Sequence, residues 1–199
     1  MSDQFQTLRE FLFPNMSEMN RFRQVFVNVV LATDIFDKQL NDLRKSRWTR
    51  AFASSSDLVD TNHDDYQNLR ATIVIEHIMQ ASDVSHTMQH WHIYRKWNEK
   101  LFRECYKAFR EGRAEKDPTT FWYEGEKGFY DYYIIPLAKK LKECGVFGVS
   151  SSEYLDYALK NRAEWEIHGQ EAVQEMVANV KNQEKLLEEK GARDFSCVP

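Results

Sequence analysis

Glycine and proline are scarce in this sequence, whose 199 residues include seven glycines and four prolines. Closely spaced β-hairpins need such residues in their turns, so a fold built from hairpins is disfavoured. Leucine, glutamate, lysine, alanine and aromatic residues fill long stretches instead, and this favours helix. The composition therefore predicts an all-α fold, a compact multi-helix bundle.

Cysteine, net charge and long apolar runs are also limited. Cys105, Cys144 and Cys197 lie far apart and form no CxxC pair, which argues against a disulfide framework or a zinc knuckle and fits a reducing compartment. The formal net charge is only -4, and basic residues alternate with acidic ones, so we expect no nucleic-acid partner. No window reaches the roughly eighteen apolar residues of a membrane span, so we expect a soluble segment without direct membrane insertion.

The length suits one helical domain with a single core. We assign residues 1–190 to this domain and residues 191–199 to a tail, because the stretch before the tail is strongly polar and mixed in sign. Apolar residues at intervals of three and four predict the helices, and Pro136 predicts a kink after Tyr133. The predicted helices cover residues 17–33, 35–48, 69–84, 88–109, 127–145 and 150–190, with a loop over 54–63.

Asp83 ends a largely apolar helix in the segment QASDVSH. An ionised carboxylate in such surroundings needs a metal, a cation or hydrogen-bond donors. The residues alone leave two alternatives, a structural aspartate at the helix end and a metal ligand.

Histidines form an HxxxHxH cluster at His86, His90 and His92. This spacing would place His86 and His90 on one helix face, as in some zinc sites, although Thr87 stands where HExxH has glutamate. An unrelated helical metal protein built on this cluster is therefore one alternative. His77 is predicted to be a hydrogen-bonded core histidine.

The segment GEKGFYDYYIIPL spans residues 125–137 and carries an acid, Glu126, ahead of an aromatic residue, Phe129. Taken alone, Phe129 would be a core residue and Glu126 a first-turn acid that interacts favourably with the helix dipole.

Four segments together carry a more specific signal: VLATD at 30–34, ASDVSH at 81–86, YRKWNEKLF at 94–102 and KGFYDYYIIPL at 127–137. Their order and approximate spacing resemble the C-terminal part of the catalytic domain of class I 3′,5′-cyclic-nucleotide phosphodiesterases. The resemblance spans roughly residues 21–170. The amino-acid sequence of these segments is similar to that of versions from diatoms and related algae. In those organisms such domains can be fused to cyclase and membrane regions.

The resemblance implies hydrolysis of cyclic nucleotides, cAMP or cGMP, to 5′-monophosphates in signal transduction. The family uses two divalent metals, zinc and magnesium or manganese, and Asp83 matches one of their ligands. The other ligand motifs and the general-acid histidine are not found in residues 1–199, so no catalytic residue is assigned in this segment. We therefore expect this chain to be inactive without its missing N-terminal half.

The resemblance also assigns supporting and substrate-binding positions. Thr33 and Asp34 match positions that lie next to the metal site without coordinating the metals, and the threonine hydroxyl at this position hydrogen-bonds metal-bound water. Glu126 stands where the family usually has a glutamine that reads the purine edge. Because a carboxylate accepts hydrogen bonds from guanine N1 and N2, this change favours cyclic GMP. The expected substrate-binding residues are Glu126, Phe129, which would stack on the purine, Leu101, Tyr94 and His86, where the family more often has asparagine.

A non-catalytic helical binding or interaction module derived from a phosphodiesterase is the main rival. We expect a cytoplasmic location, or the cytoplasmic side of a membrane-anchored parent protein. The oligomeric state is left open, with a homodimer among the alternatives. A missing half would also leave apolar surface exposed and promote self-association.

Overall fold

A computed structural model describes residues 5–35, 37–52, 63–145 and 147–195. Every regular element in these ranges is a helix, which confirms the predicted all-α fold. The chain clusters into two compact units, Met1–Asp83 and Val84–Pro199. The division into a domain over 1–190 and a tail over 191–199 stays a prediction. No helix within the described ranges is both long enough and apolar enough to cross a membrane.

The described residues of the first unit form four helices, and side-chain caps begin two of them. Asn15 accepts a 2.9 Å hydrogen bond from the Glu18 amide, and Asp37 accepts one of 3.0 Å from the Leu40 amide. Such caps satisfy amides that have no partner within the helix. The helices are α1 (Gln6–Leu12), α2 (Met16–Ala32), α3 (Lys38–Ala51) and α4 (His63–Asp83).

The core of the first unit forms where α4 packs against α2 and α3. His77 is 2% exposed, and its Nδ1 lies 2.7 Å from the carbonyl oxygen of Ile73, which confirms the predicted core histidine. Glu76, also buried, accepts hydrogen bonds of 2.7 and 3.0 Å from Arg47. The helix α4 begins at His63, so the predicted start at residue 69 is wrong and His63 is helical; residues 54–62 of the predicted loop lie outside the described ranges.

Apolar side chains on α1 and α2 are exposed. Phe11 is 85% exposed, Met16 65% and Phe26 58%. Apolar surface is thus exposed on these helices, whereas its contact with a missing half and self-association through it stay predictions.

The second unit is organised around α8, against which α5, α6 and α7 pack. Aromatic side chains fill much of its core, with Tyr94, Phe102, Tyr130 and Trp165 at most 1% exposed. The α-helices are α5 (Trp91–Arg110), α6 (Trp122–Phe129), α7 (Ile135–Cys144) and α8 (Ser151–Phe195). Short 3₁₀ turns lie at Ser85–Met88, Pro118–Thr120 and Gly148–Ser150.

A π-helical turn over Tyr130–Ile134 precedes Pro136, in the segment where a kink is predicted. The amide of Ile135 bonds the carbonyl of Tyr130, five residues back, so the turn holds one residue more than an α-helix would. Proline has no amide hydrogen, and the wider turn precedes it. The predicted start of this segment at Lys127 is wrong, because α6 begins at Trp122.

Gly169 lets two aromatic rings pack closely against α8. A Cβ atom at this position would overlap the ring of Trp165 and lie 2.8 Å from the ring of Tyr123. No side chain fits there without displacing those rings. The predicted start of α8 near Ser150 is confirmed, and the buried hydroxyl of Ser151 finds no hydrogen-bond partner within the described part of the chain.

Candidate functional site

Thr33 and Asp34 directly follow the last residue of α2 in the first unit. Side chains from α3 and α4 donate hydrogen bonds to the backbone carbonyls around them. Gln80 on α4 donates a 2.8 Å bond to the carbonyl of Ala32. Arg44 on α3 donates to the carbonyls of Leu31, at 2.9 Å, and Asp34, at 2.5 Å. Both side chains thus satisfy carbonyls that a helix leaves open at its C-terminus.

The hydroxyl of Thr33 donates a 2.8 Å hydrogen bond to the carbonyl of Val30. The hydroxyl proton of Thr33 is used in this bond, so the hydroxyl oxygen can act only as an acceptor toward a further partner. Asp34 accepts a 3.3 Å bond from the amide of Asp37 through Oδ1. These contacts fix the positions of both residues.

Asp83 ends α4, as predicted, but the expectation that it lies in apolar surroundings is wrong. Its side chain is exposed in the described structure. The last turn of α4 buries Gln80 and Ala81, whereas Asp83, the final residue of the helix, is exposed. The desolvation argument for a cation at Asp83 therefore does not hold.

Glu126 lies at the centre of a buried hydrogen-bond network in the second unit. The hydroxyl of Tyr94 donates to its Oε2 at 2.5 Å. The Nδ2 of Asn98 donates to the Tyr94 oxygen at 3.1 Å, and the indole of Trp165 donates to the same oxygen at 2.6 Å. Trp122 donates its indole N–H to Oδ1 of Asn98 at 3.0 Å. Three helices of the unit, α5, α6 and α8, thus meet around a single carboxyl group.

The interpretation of Glu126 as a first-turn acid is wrong, because α6 begins four residues earlier and Glu124 occupies its first turn. Glu126 is only 8% exposed. Burial raises the pKa of its carboxyl, while the hydrogen bonds from Tyr94 and Asn98 act to lower it. Burial and the nearby Glu126 charge also raise the pKa values of Tyr94 and Tyr130, so both phenols stay protonated.

The other predicted substrate-binding residues also lie in the second unit. Phe129 follows Glu126 by three residues on α6, so both lie on one side of that helix, and its half-buried ring stacks on Tyr133 at 5.4 Å. Leu101 on α5 is 44% exposed. The ring of His86 stacks on Tyr94 at 6.1 Å between centroids. Tyr94 therefore contacts both His86 and Glu126.

The HxxxHxH cluster does not form the predicted helical pair. His86 belongs to a 3₁₀ turn and His90 precedes α5, so they do not share a helix face. His90 Nε2 instead lies 2.9 Å from the hydroxyl of Tyr157, and its ring lies 5.7 Å from that of His92. Among residues 5–35, 37–52, 63–145 and 147–195, no three His, Cys, Asp or Glu side chains come together as metal ligands. These residues do not by themselves form a site for the divalent metals that the family implies.

Asn98, Trp122 and Trp165 were missed by sequence reasoning, although they support Glu126 directly or through Tyr94. A signal was available for Asn98, which follows Tyr94 by four residues and therefore lies on the same helix face. Trp122 and Trp165 gave no comparable signal, because the sequence pattern does not distinguish a tryptophan that only packs in the core from one that also donates a hydrogen bond to a site.

A family model described as 3′5′-cyclic nucleotide phosphodiesterase matches residues 2–148. This match covers well over half of the chain, and the chain therefore belongs to the 3′5′-cyclic nucleotide phosphodiesterase family. No curated protein and no solved structure matches it.

Membership of the family identifies the fold as that of a class I phosphodiesterase catalytic domain and confirms the predicted resemblance. It indicates a hydrolase that acts on cyclic nucleotides and, in general, one that uses divalent metals.

Proposed function

We propose that this chain supplies the base-recognition side of a cyclic-nucleotide phosphodiesterase, with Glu126 and Phe129 contacting the purine. The family match carries this proposal. The position of Glu126 and Phe129 on one side of α6 supports it, since an acceptor and an aromatic ring then lie close together. His86, Tyr94 and Leu101 would complete the lining of the pocket.

The preferred base in this proposal is guanine. Burial raises the pKa of the Glu126 carboxyl, and the hydrogen bonds from Tyr94 and Asn98 act against this rise and favour the ionised, accepting form. A carboxylate can accept hydrogen bonds from N1 and N2 of guanine, whereas N1 of adenine is itself an acceptor. Cyclic GMP should therefore bind more tightly than cyclic AMP.

Asp83 would contribute one ligand to the divalent metals, and Thr33 and Asp34 would support it from the end of α2. Such metals, when bound, would activate water for attack on the cyclic phosphate. A single carboxylate does not hold a catalytic metal pair. We therefore propose that the 199-residue chain alone has negligible hydrolytic activity.

Turnover and binding assays test these points separately. The chain should show no hydrolysis of either cyclic nucleotide with added zinc and magnesium or manganese. Metal-dependent hydrolysis that disappears in Asp83→Ala would contradict the proposed inactivity while supporting the ligand role. In titrations followed by NMR, cyclic GMP should perturb the Glu126 and Phe129 signals at lower concentration than cyclic AMP. Equal or stronger binding of cyclic AMP would refute the guanine preference.

Glu126→Gln is the matched variant, because it keeps the shape of the side chain and restores the amide usual in the family. It should reduce the preference for cyclic GMP, since an amide can both donate and accept. Binding of cyclic nucleotides with no turnover under any metal condition would also fit the rival, a non-catalytic module. Co-expression with a segment that carries the missing ligand motifs would then separate the two, because only the enzyme should regain hydrolysis.

A further inference from the structure

The donors and acceptors in the hydrogen-bond network around Glu126 can be assigned in order, beginning with the donor Trp122. An indole N–H can donate a hydrogen bond but cannot accept one. Trp122 Nε1 lies 3.0 Å from one end of the Asn98 amide, so that end is the carbonyl oxygen, Oδ1. The NH₂ end of Asn98 therefore faces the Tyr94 hydroxyl, 3.1 Å away.

The Tyr94 oxygen receives a second donor from the other side, the indole N–H of Trp165 at 2.6 Å. A phenolic oxygen has two acceptor positions and one proton. Asn98 and Trp165 occupy both acceptor positions. The proton of Tyr94 is then directed to the remaining partner, Oε2 of Glu126 at 2.5 Å.

We propose that Trp122, acting through Asn98, is a positioning residue that turns the Tyr94 hydroxyl toward Glu126 and holds Glu126 as a hydrogen-bond acceptor. Without the indole N–H of Trp122, the Asn98 amide can turn over and present its oxygen to Tyr94. The hydroxyl of Tyr94 then has two possible acceptors, and Glu126 loses this donor for part of the time, together with its hydrogen bond from the Asn98 amide. The orienting role stands by itself, and its effect on the choice of base rests on the proposed function.

Other ionisable groups near Glu126 do not obscure this effect. Tyr94 and Cys105 on α5 and Tyr130 in the π-helical turn all interact electrostatically with its carboxylate. Burial raises the pKa of each of the three, so they stay protonated where a carboxyl titrates. The residue that α8 contributes to the network is Trp165, whose indole is neutral. Of these groups, Glu126 is the one that changes charge at acid pH. The imidazole of His86, which stacks on Tyr94 at 6.1 Å between centroids, is the other titratable side chain that faces the network, and its own ring signals follow its protonation separately.

An NMR titration of the full chain, with ¹³C in the glutamate carboxyl groups, measures the midpoint of Glu126. The signal is assigned by its loss in Glu126→Gln. Trp122→Phe should move the midpoint upward by about half a pH unit or more, because the carboxylate shares its donor with a new competitor. Phenylalanine preserves much of the ring packing against Phe102, whose centroid lies 5.1 Å from that of Trp122.

Trp165→Phe is the matched control, since it also removes one indole donor from the network. Asn98 stays anchored by Trp122 in this variant, so Tyr94 gains no competing acceptor and the midpoint should move clearly less. Equal shifts in the two variants, or no shift in Trp122→Phe, would overturn the proposal.

A measurement on the unmodified chain covers the case in which Trp122→Phe does not fold. The NH₂ hydrogens of Asn98 should show nuclear Overhauser contacts to the Tyr94 ring. Contacts from these hydrogens to the indole N–H of Trp122 in their place would mean that the amide is reversed, and would overturn the proposal.

Binding of cyclic GMP and cyclic AMP to the same variants separates this inference from the proposed function. A shifted Glu126 midpoint in Trp122→Phe supports the orienting role whichever nucleotide binds. If that shift occurs while neither nucleotide binds to any variant, base recognition by this chain is refuted and the orienting role is retained.

Discussion

The hydroxyl of Tyr94 lies 2.5 Å from Oε2 of Glu126, although the two residues are 32 positions apart in sequence. Both side chains are buried, with exposures of 0% for Tyr94 and 8% for Glu126. A carboxyl group in such a position gains a strong hydrogen bond and loses its hydration. The balance of these two effects determines how stability depends on pH.

The first prediction concerns this dependence. The folded protein has a raised Glu126 pKa, so it holds a proton at pH values where the unfolded chain has released it. The contribution of Glu126 to stability is therefore greatest below the ordinary pKa of 4.5 and falls as pH rises toward the folded value. Glu126→Gln should remove this fall, as measured by urea unfolding from about pH 4 to about pH 8.

Glu166→Gln is the control for that experiment. Glu166 is exposed, and its hydrogen bond with Arg162 lowers its pKa, so its contribution has the opposite sign and is lost as pH falls. Parallel pH profiles for the unmodified protein and Glu126→Gln would contradict the prediction.

The second prediction concerns Gly169, which makes room for the ring that donates to Tyr94. Gly169→Ala should lower the free energy of unfolding by about 1–3 kcal/mol, because the added methyl group displaces the rings of Trp165 and Tyr123. Gly128→Ala is the matched helical control, since the nearest atom to its new Cβ would be 3.9 Å away. It should leave stability unchanged or raise it by about 0.5–1 kcal/mol. Chemical denaturation measures both, and equal effects would show that the space at Gly169 is unimportant.

The third prediction concerns the ion pair of Arg47 and Glu76 in the first unit. The Glu76 side chain is 3% exposed, and that of Arg47 is 31% exposed. Arg47→Met leaves a buried carboxylate without this partner and should cost about 3 kcal/mol. Adding Glu76→Met should recover much of that loss, because it removes the charge that was left. A double-mutant cycle in unfolding experiments checks this, and additive losses would contradict it.

The fourth prediction concerns association through the exposed apolar side chains of α1 and α2. Phe11→Ser and Phe26→Ser should each reduce self-association in a sedimentation-velocity concentration series, because less apolar surface is removed from water on contact. Val149→Ser serves as the control, since Val149 is a fully exposed apolar residue in the second unit. Unchanged association in both phenylalanine variants would locate the contact elsewhere, and a monomer at all concentrations would refute the prediction of self-association.

Local patterns in the sequence were sufficient for much of the fold. Apolar spacing located α2, α4 and α5, because a helix that packs on one core repeats its apolar residues with the helical period. The same reasoning placed His77 in the core. Apolar spacing did not locate the start of α6 at Trp122, because the glycines at 125 and 128 interrupt the helical pattern without ending the helix.

The candidate site was less accessible to such reasoning. Periodicity suggested that Asp83 shares the buried side of its helix, whereas the last turn directs it to solvent. The resemblance to a family singled out Glu126 and Tyr94 but not the bond between them. That bond joins α5 to α6, which both pack against α8, and the supporting bond comes from Trp165 on α8, 71 positions from Tyr94.

The π-helical turn has a consequence for the direction in which Phe129 points. Each residue of an α-helix rotates the next by about 100°. The one extra residue in Tyr130–Ile134 therefore sets the angular offset between α6, which carries Phe129, and α7, which buries Leu137 and Leu141. Deleting one residue from this turn would convert it to regular α-helix and rotate Phe129 by about a quarter of a circle relative to the core face of α7. A single-residue change in length would thus redirect the aromatic ring relative to the core face of α7 and would rotate the buried residues of α6, Trp122 and Glu126, with it.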